Sequence, residues 1–415
     1  MRDSGLETIA IDLTPVLPGG ENGGAKRFAL EIVRRLSAQQ PATRFVLLTQ
    51  AASHEELASL DGPNVTRFQA VGAAASGARN RVFGAAARLV RHAPAAVKRV
   101  AARVGYRLHR QLKRGAASPV RDLGASLLFC PFTAPTYAVP GVPVVCTIYD
   151  QQYRAYPQFF AVEDVIQRER AFRDACERAS VLAAISDFSR DEAIAAGGLD
   201  PARISTIPLR MGLPDAAPGG EGALGRWGLE PGRYLLYPAN FWKHKNHEML
   251  LTAFGIACRR ETGFGLKLVL TGAPSARGDW IARAAAAMGL ADRVVLPGFV
   301  PEGDLAQLLA RSAGLVFPSL YEGFGLPLIE AMAAGIPVAC SDSTALGETA
   351  GEAALRFDPR IPESIAAAML RLASDTALRE SLVRGGRERA SHYTDADRMA
   401  RDYWSLFRTA AGAVA

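Results

Sequence analysis

The stretch Phe317-Pro318-Ser319-Leu320-Tyr321-Glu322-Gly323-Phe324-Gly325-Leu326-Pro327-Leu328-Ile329-Glu330-Ala331-Met332-Ala333-Ala334-Gly335-Ile336-Pro337-Val338 reads as strand, loop, helix, strand. Gly314 to Phe317 is a short apolar run suited to a buried strand, and Gly323 and Gly325 permit a sharp turn. Pro327 fits the first turn of a helix, where the amide it lacks would be unpaired, and Gly335 with Pro337 stops that helix two turns later. The amides around Gly323, Phe324, Gly325 and Leu326 then converge at a helix N-terminus, a preformed anion and hydroxyl site. Glu322 and Glu330, with seven residues between them, bracket it. A carboxylate accepts two hydrogen bonds from a vicinal diol, so one on each side of a phosphate cradle suits a sugar nucleotide.

The run from Glu322 to Pro327, followed by Glu330-Ala331-Met332 and Gly335-Ile336-Pro337-Val338, resembles the signature of the large retaining glycosyltransferase family 4 of GT-B fold, and bacterial surface-polysaccharide mannosyltransferases within it. The resemblance implies two doubly wound domains facing a cleft. It places Glu322 on the sugar hydroxyls and Glu330 on the ribose of a donor, with GDP-mannose the first expectation and neither metal nor other cofactor required. The transfer is to a glycan or lipid-linked acceptor. Another GT-B enzyme, such as a sugar-nucleotide epimerase, is the alternative on the same fold; a phosphorylase would need a pyridoxal lysine context that is not seen.

Working outward, Tyr234 to Tyr237, Leu266 to Thr271 and Arg293 to Leu296 read as strands alternating with helices at Glu248 to Arg259 and Trp280 to Met288. Between the first strand and helix, Lys245 stands where a lysine reaches a diphosphate at the strand ends. It matches the lysine of the resembled family. An arginine usual about five residues earlier is Asn240 here, with Lys243 a substitute for the second cationic contact. His244 and His247 are too few for a metal and read as solvated or phosphate-facing side chains. Asp395 and Asp397 read as a helix N-cap rather than a metal pair.

Upstream of a Gly- and Pro-rich linker, 212–225, the alternation repeats over 1–211. Thr8 to Leu13 is a strand, and Gly23-Gly24 opens the next helix as a second phosphate-facing turn. In the family this Gly-Gly faces the donor diphosphate and the acceptor. Val142 to Ile148 ends at Tyr149-Asp150, where the family usually has His-Asp; Asp150 is an acceptor-side or helix-capping candidate. The donor domain is expected over 226–394, and 395–415 resembles the terminal helix that crosses back to the first domain.

The whole chain has 415 residues, 49% hydrophobic and 21% charged, a globular balance with room for two cores. Five scattered cysteines read as reduced core residues. Of the net +7, residues 73–121 hold twelve Lys or Arg and no acid, which leaves −5 for the rest. That insertion has helical spacing, with Val97, Val100, Val104, Leu108 and Leu112 on one face, and is expected either to pack internally or to lie on an anionic membrane. Nucleic-acid binding is disfavoured, because only Phe83 and Tyr106 are interleaved among its charges. The polar start Met1-Arg2-Asp3-Ser4-Gly5 and the lack of any apolar run of about eighteen residues lead to the expectation of a cytoplasmic protein, held peripherally at most to the inner membrane face.

Overall fold

The structure, a computed structural model, describes residues 6–18, 22–72, 118–212 and 222–412. The first sheet contains β1 (Thr8–Asp12), β2 (Arg44–Gln50), β3 (Val65–Val71), β4 (Leu127–Cys130), β5 (Val144–Ile148), β6 (Val181–Ala184) and β7 (Ile204–Thr206), in the order β3-β2-β1-β4-β5-β6-β7. The second contains β8 (Tyr234–Pro238), β9 (Lys267–Thr271), β10 (Val294–Gly298), β11 (Gly314–Phe317), β12 (Val338–Ser341) and β13 (Leu355–Phe357), in the order β10-β9-β8-β11-β12-β13. Every paired strand is parallel. Two all-parallel sheets flanked by helices are the α/β, GT-B arrangement expected from the sequence.

In each sheet the strand order reverses beside its first strand, at β1/β4 and β8/β11. Ligands of doubly wound sheets bind beyond the carboxyl ends of strands at such a switch point. The topology therefore brings the loop after β8, carrying Lys245, next to the loop after β11, carrying Glu322.

The principal helices are α1 (Gly23–Gln39), α2 (Val162–Arg178), α3 (Asp187–Gly197), α4 (His247–Arg260), α5 (Ala276–Ala287), α6 (Glu302–Ala310), α7 (Leu326–Ala333), α8 (Ala345–Ala350), α9 (Pro362–Ser374), α10 (Thr376–Ser391) and α11 (Ala396–Gly412). Strand alternation sorts the first core into two sides. Ile9 and Ile11 of β1 pack with Phe28 and Ile32 of α1, while Ala10 joins Leu128, Cys146 and, from α2, Phe172 and Ala175. Cys130, Cys146, Cys176 and Cys340 are buried, Cys258 is half-buried, and all five are free thiols.

Helix α11 packs on the first domain. Phe129 of β4 lies 5.4 Å from the Tyr403 ring and 5.1 Å from Phe407, and the Tyr403 hydroxyl shares a 3.1 Å hydrogen bond with Thr147 of β5. Phe407 is fully buried, so its truncation to alanine costs about 3–5 kcal/mol. Asp395 caps the helix by accepting from the Arg398 amide at 2.8 Å. Asp397 instead accepts from Arg35 and Gln39 of α1, at 3.4 and 3.0 Å.

Some boundaries shift. The strand read from Arg293 is β10, which starts one residue later and ends two later, and α6, α9 and α10 extend the second domain beyond the helices read from sequence. The basic insertion read over 73–121 lies outside the described residues except for 118–121, where Ser118 precedes a short helical turn, Pro119–Asp122. Linker residues 213–221 lie outside them as well. No described helix is long and apolar enough to cross a membrane.

Candidate active site

Phe317 ends β11 fully buried, and the following loop turns into α7 through Gly325 at φ 105°, where a Cβ would meet Leu346 Cδ2 at 2.6 Å. Only glycine fits such a position. Among the described residues the amides of Gly323, Phe324, Gly325 and Leu326 donate to no other group, so the cradle is open for an acceptor. Phe324 contributes its amide alone: its ring is buried edge-on against Tyr393, 5.4 Å away.

Glu322 is not a solvated loop carboxylate. Its Oε1 accepts from Lys245 Nζ at 2.6 Å, with both side chains less than 15% exposed. Two residues with left-handed backbones hold the pair from either side. Asn246, at φ 62°, donates its side-chain amide to Pro318 O (3.1 Å) and Pro359 O (2.8 Å), which ties the Lys245 turn to the end of β11. Thr344, at φ 55°, accepts the Glu322 amide on Oγ1 at 3.1 Å. A β-branched residue in this conformation is strained, and such strain persists where the surroundings over-determine it, as they do at sites.

The second carboxylate reaches the other domain. Glu330 Oε1 accepts from Arg27 Nη1 of α1 at 2.5 Å. Burial lowers the Arg27 pKa, but the charge and hydrogen bond of Glu330, with the charges of Glu302 and Glu31, together outweigh it and the net direction is up. The two helix starts meet beside this pair: a Cβ on Gly24 would stand 3.2 Å from Leu326 Cδ1, while Gly23, at φ 52°, faces open space.

The first domain also closes directly on the glutamate loop. A Cβ on Gly323 would lie 2.2 Å from Tyr149 O and 3.2 Å from the Asp150 Cβ. Ser189 Oγ donates to Tyr149 O at 2.7 Å and to Gly323 O at 3.3 Å, stapling the two chains. Tyr321 donates its hydroxyl to Glu192 and accepts the Gln151 amide at 3.3 Å. The Glu348 carboxylate of α8 accepts the Asp187 and Phe188 amides at 2.9 and 3.0 Å, so one domain supplies the anion at the N-terminus of the other's α3.

Asp150 therefore sits against Gly323. Burial raises its pKa, and the Gln152 amide, which donates to Oδ1 at 3.1 Å, only partly opposes this. Tyr149, at the family's histidine place, directs its hydroxyl to Pro131 O at 2.7 Å, and burial pushes its pKa up. That hydroxyl is engaged within its own domain.

Asn240 and Lys243 lie outside this cluster. Asn240 Oδ1 accepts the Ala273 amide at 2.9 Å and so anchors its loop, and Lys243 is exposed on a single helical turn, Lys243–Lys245. The expectation that His244 and His247 are solvated is corrected. Both are buried, His247 between the Tyr237 and Phe241 rings at 4.9 and 4.7 Å. Burial, and next the Lys245 charge, push His244 down to about 2 and His247 down to about 3, so both are neutral near pH 7. Hydrophobic residues crowd this loop, and two histidines three apart gave no hint of it. Among the described residues no group of three or more His, Cys, Asp or Glu is arranged to hold a metal ion.

Arg27, Ser189, Thr344 and Glu348 were missed by sequence reading. Each acts through a partner far along the chain or through an unusual backbone angle. For Arg27 alone a signal existed, its place one turn after Gly23-Gly24.

Residues 232–375 match the family model described as Glycosyl transferases group 1. An O-antigen chain mannosyltransferase B of Escherichia coli is 30% identical over 253 residues, which cover 60% of this chain and 66% of that protein, just under two thirds of its length. The structure resembles Anabaena HepE in complex with UDP and glucose (TM-score 0.68, 16% identity, 96% of this chain and 99% of that one). It also resembles WaaG, a glycosyltransferase involved in lipopolysaccharide biosynthesis (TM-score 0.63, 15% identity, 96% and 99%). With the glutamate motif, the matched domain over 232–375 and the two-sheet architecture in agreement, the chain has the GT-B fold and is similar to the group 1 glycosyltransferases.

Proposed function

We propose that the protein is a retaining hexosyltransferase that moves a sugar from a nucleoside diphosphate to a glycan or lipid-linked acceptor in surface-polysaccharide synthesis. The observation that carries the reading is the buried Glu322–Lys245 pair set against the open amides of 323–326 at the β8/β11 switch point. Departure of the nucleoside diphosphate builds negative charge, which those amides and Lys245 stabilise without a divalent ion. Glu322 orients the sugar hydroxyls and Glu330 the ribose. Asp150, beside Gly323 across the cleft, faces the acceptor. No enzyme nucleophile is invoked: the acceptor attacks from the face the diphosphate leaves, and a phosphate oxygen takes its proton.

The mannosyltransferase relative favours mannose as the sugar, and GDP-mannose is the donor proposed. The twelve cations of 73–121 favour reversible attachment to an anionic membrane surface, at about 1 kcal/mol for each charge near the headgroups. A thermal-shift panel of GDP, UDP, ADP and their sugar conjugates tests the reading. A ligand at a hundred times its dissociation constant stabilises by about 2.7 kcal/mol. A shift with GDP and GDP-mannose, followed by mannose transfer, supports it; no shift with any nucleotide overturns it.

A further inference from the structure

Both carboxylates of the site hold a cation in the structure, Lys245 on Glu322 at 2.6 Å and Arg27 on Glu330 at 2.5 Å. A donor that engages those carboxylates through its sugar and ribose hydroxyls competes with both cations at once. The four side chains sum to zero charge, whereas the diphosphate of a sugar nucleotide carries two negative charges. Two cations released from two carboxylates match that requirement.

Where Arg27 goes follows from its position. Glu330 lies four residues into α7, about 6 Å along the axis from the helix start where the amides of 323–326 are open. Gly24, three residues before Arg27, packs on Leu326 at that start. The guanidinium is thus about one helical turn from the cradle, a distance that rotation about its own side-chain bonds covers. It is also 37% exposed, and among the described residues its other ion pair is with Glu302, at 3.7 Å and itself 69% exposed, a weak restraint. Asn240, near Lys245 in the loop after β8, is neutral, and its side-chain oxygen is occupied by the Ala273 amide.

We infer that Arg27, from the opposite domain, is the second diphosphate-binding cation, stored on Glu330 and transferred to the phosphates when the ribose takes that carboxylate. This rests on the donor reading above and adds that one of the leaving-group cations comes from the domain opposite the donor site. Arginine suits the task because its planar fork satisfies a carboxylate or a phosphate bidentately.

The test compares Arg27→Ala and Arg27→Lys with wild type by calorimetry against GDP and guanosine, with UDP and uridine in parallel. Circular dichroism and the melting temperature confirm folding. The alanine variant is expected to bind the diphosphate at least tenfold more weakly and to bind the nucleoside as well as wild type or better, since the competitor for Glu330 is gone. The lysine variant recovers part of the loss. A diphosphate affinity within twofold of wild type overturns the inference, and so does an equal loss for nucleoside and diphosphate, which would make Arg27 a spacer in the cleft. Wild-type protein that binds none of the four removes the donor reading itself, a result the variants cannot produce.

Discussion

Replacing Gly323 by alanine isolates the contact between the domains. The added Cβ would stand 2.2 Å from Tyr149 O and 3.1 Å from its carbonyl carbon, where ordinary contact begins at 3.4 Å, so loop and strand end must part by about 1 Å. Neither side yields freely. Tyr149 O is held by the Ser189 hydroxyl and the Tyr149 ring by Pro131, while the Glu322 amide is held by Thr344. Overpacking of this kind costs about 1–3 kcal/mol. Because the two surfaces belong to different domains, the strain is relieved by opening the cleft rather than by unfolding either core. The new residue keeps its amide, so guanosine affinity stays within about threefold, whereas a misplacement of about 1 Å between donor and acceptor sides lowers turnover roughly 100-fold. Initial rates of transfer from GDP-mannose, calorimetry with guanosine and the radius of gyration in solution read the three quantities separately. Turnover within threefold of wild type and an unchanged radius of gyration would refute the reasoning.

Asp150→Asn is expected to stabilise the protein at neutral pH while lowering transfer. Burial raises the folded-state pKa of this carboxyl, so the folded form holds the proton more tightly and the group lowers stability as pH rises through the interval from its unfolded to its folded pKa. Melting temperatures of the two proteins should converge near pH 4 and diverge toward pH 8; a constant difference contradicts the assignment. Glu348→Ala removes the cap that α8 places on α3, at about 1 kcal/mol, and should widen the radius of gyration without changing the affinity for guanosine; loss of guanosine binding would show that Glu348 does more than join the domains. Turnover is expected to survive EDTA, with Lys245, the 323–326 amides and Arg27 balancing the diphosphate; activity that vanishes with chelator and returns with manganese or magnesium refutes this.

What was legible in the sequence is what is local along the chain. The turn at Gly325, Pro327 in the first turn of α7 and the spacing of Glu322 from Glu330 are all settled within one strand–loop–helix unit, which the structure contains. Lys245 was readable because it precedes a helix after a strand. Its union with Glu322 follows only from β8 lying beside β11, which is a matter of strand order. Arg27 and Glu330 are 303 residues apart, and Ser189 and Gly323 are 134 apart. No periodicity reports such pairs. Burial misled in the same way: Glu322 lies in a loop, His244 in a single turn and His247 at the first position of α4, places that are exposed by default, but here they lie where the two sheets' switch points meet and are covered.

The return of α11 to the first domain bears on how the molecule is made. Tyr403 and Phe407 complete a core whose other members, Phe28 and Phe129, leave the ribosome before the entire second domain has been synthesised. The first domain therefore waits with part of its apolar surface uncovered while nearly two hundred further residues emerge. The second domain meets no such delay, since its strands and the helices on them are contiguous in the chain. The order of maturation is thus the reverse of the order of synthesis, and the closing step, docking of α11 beside α1, also brings together the two walls of the cleft.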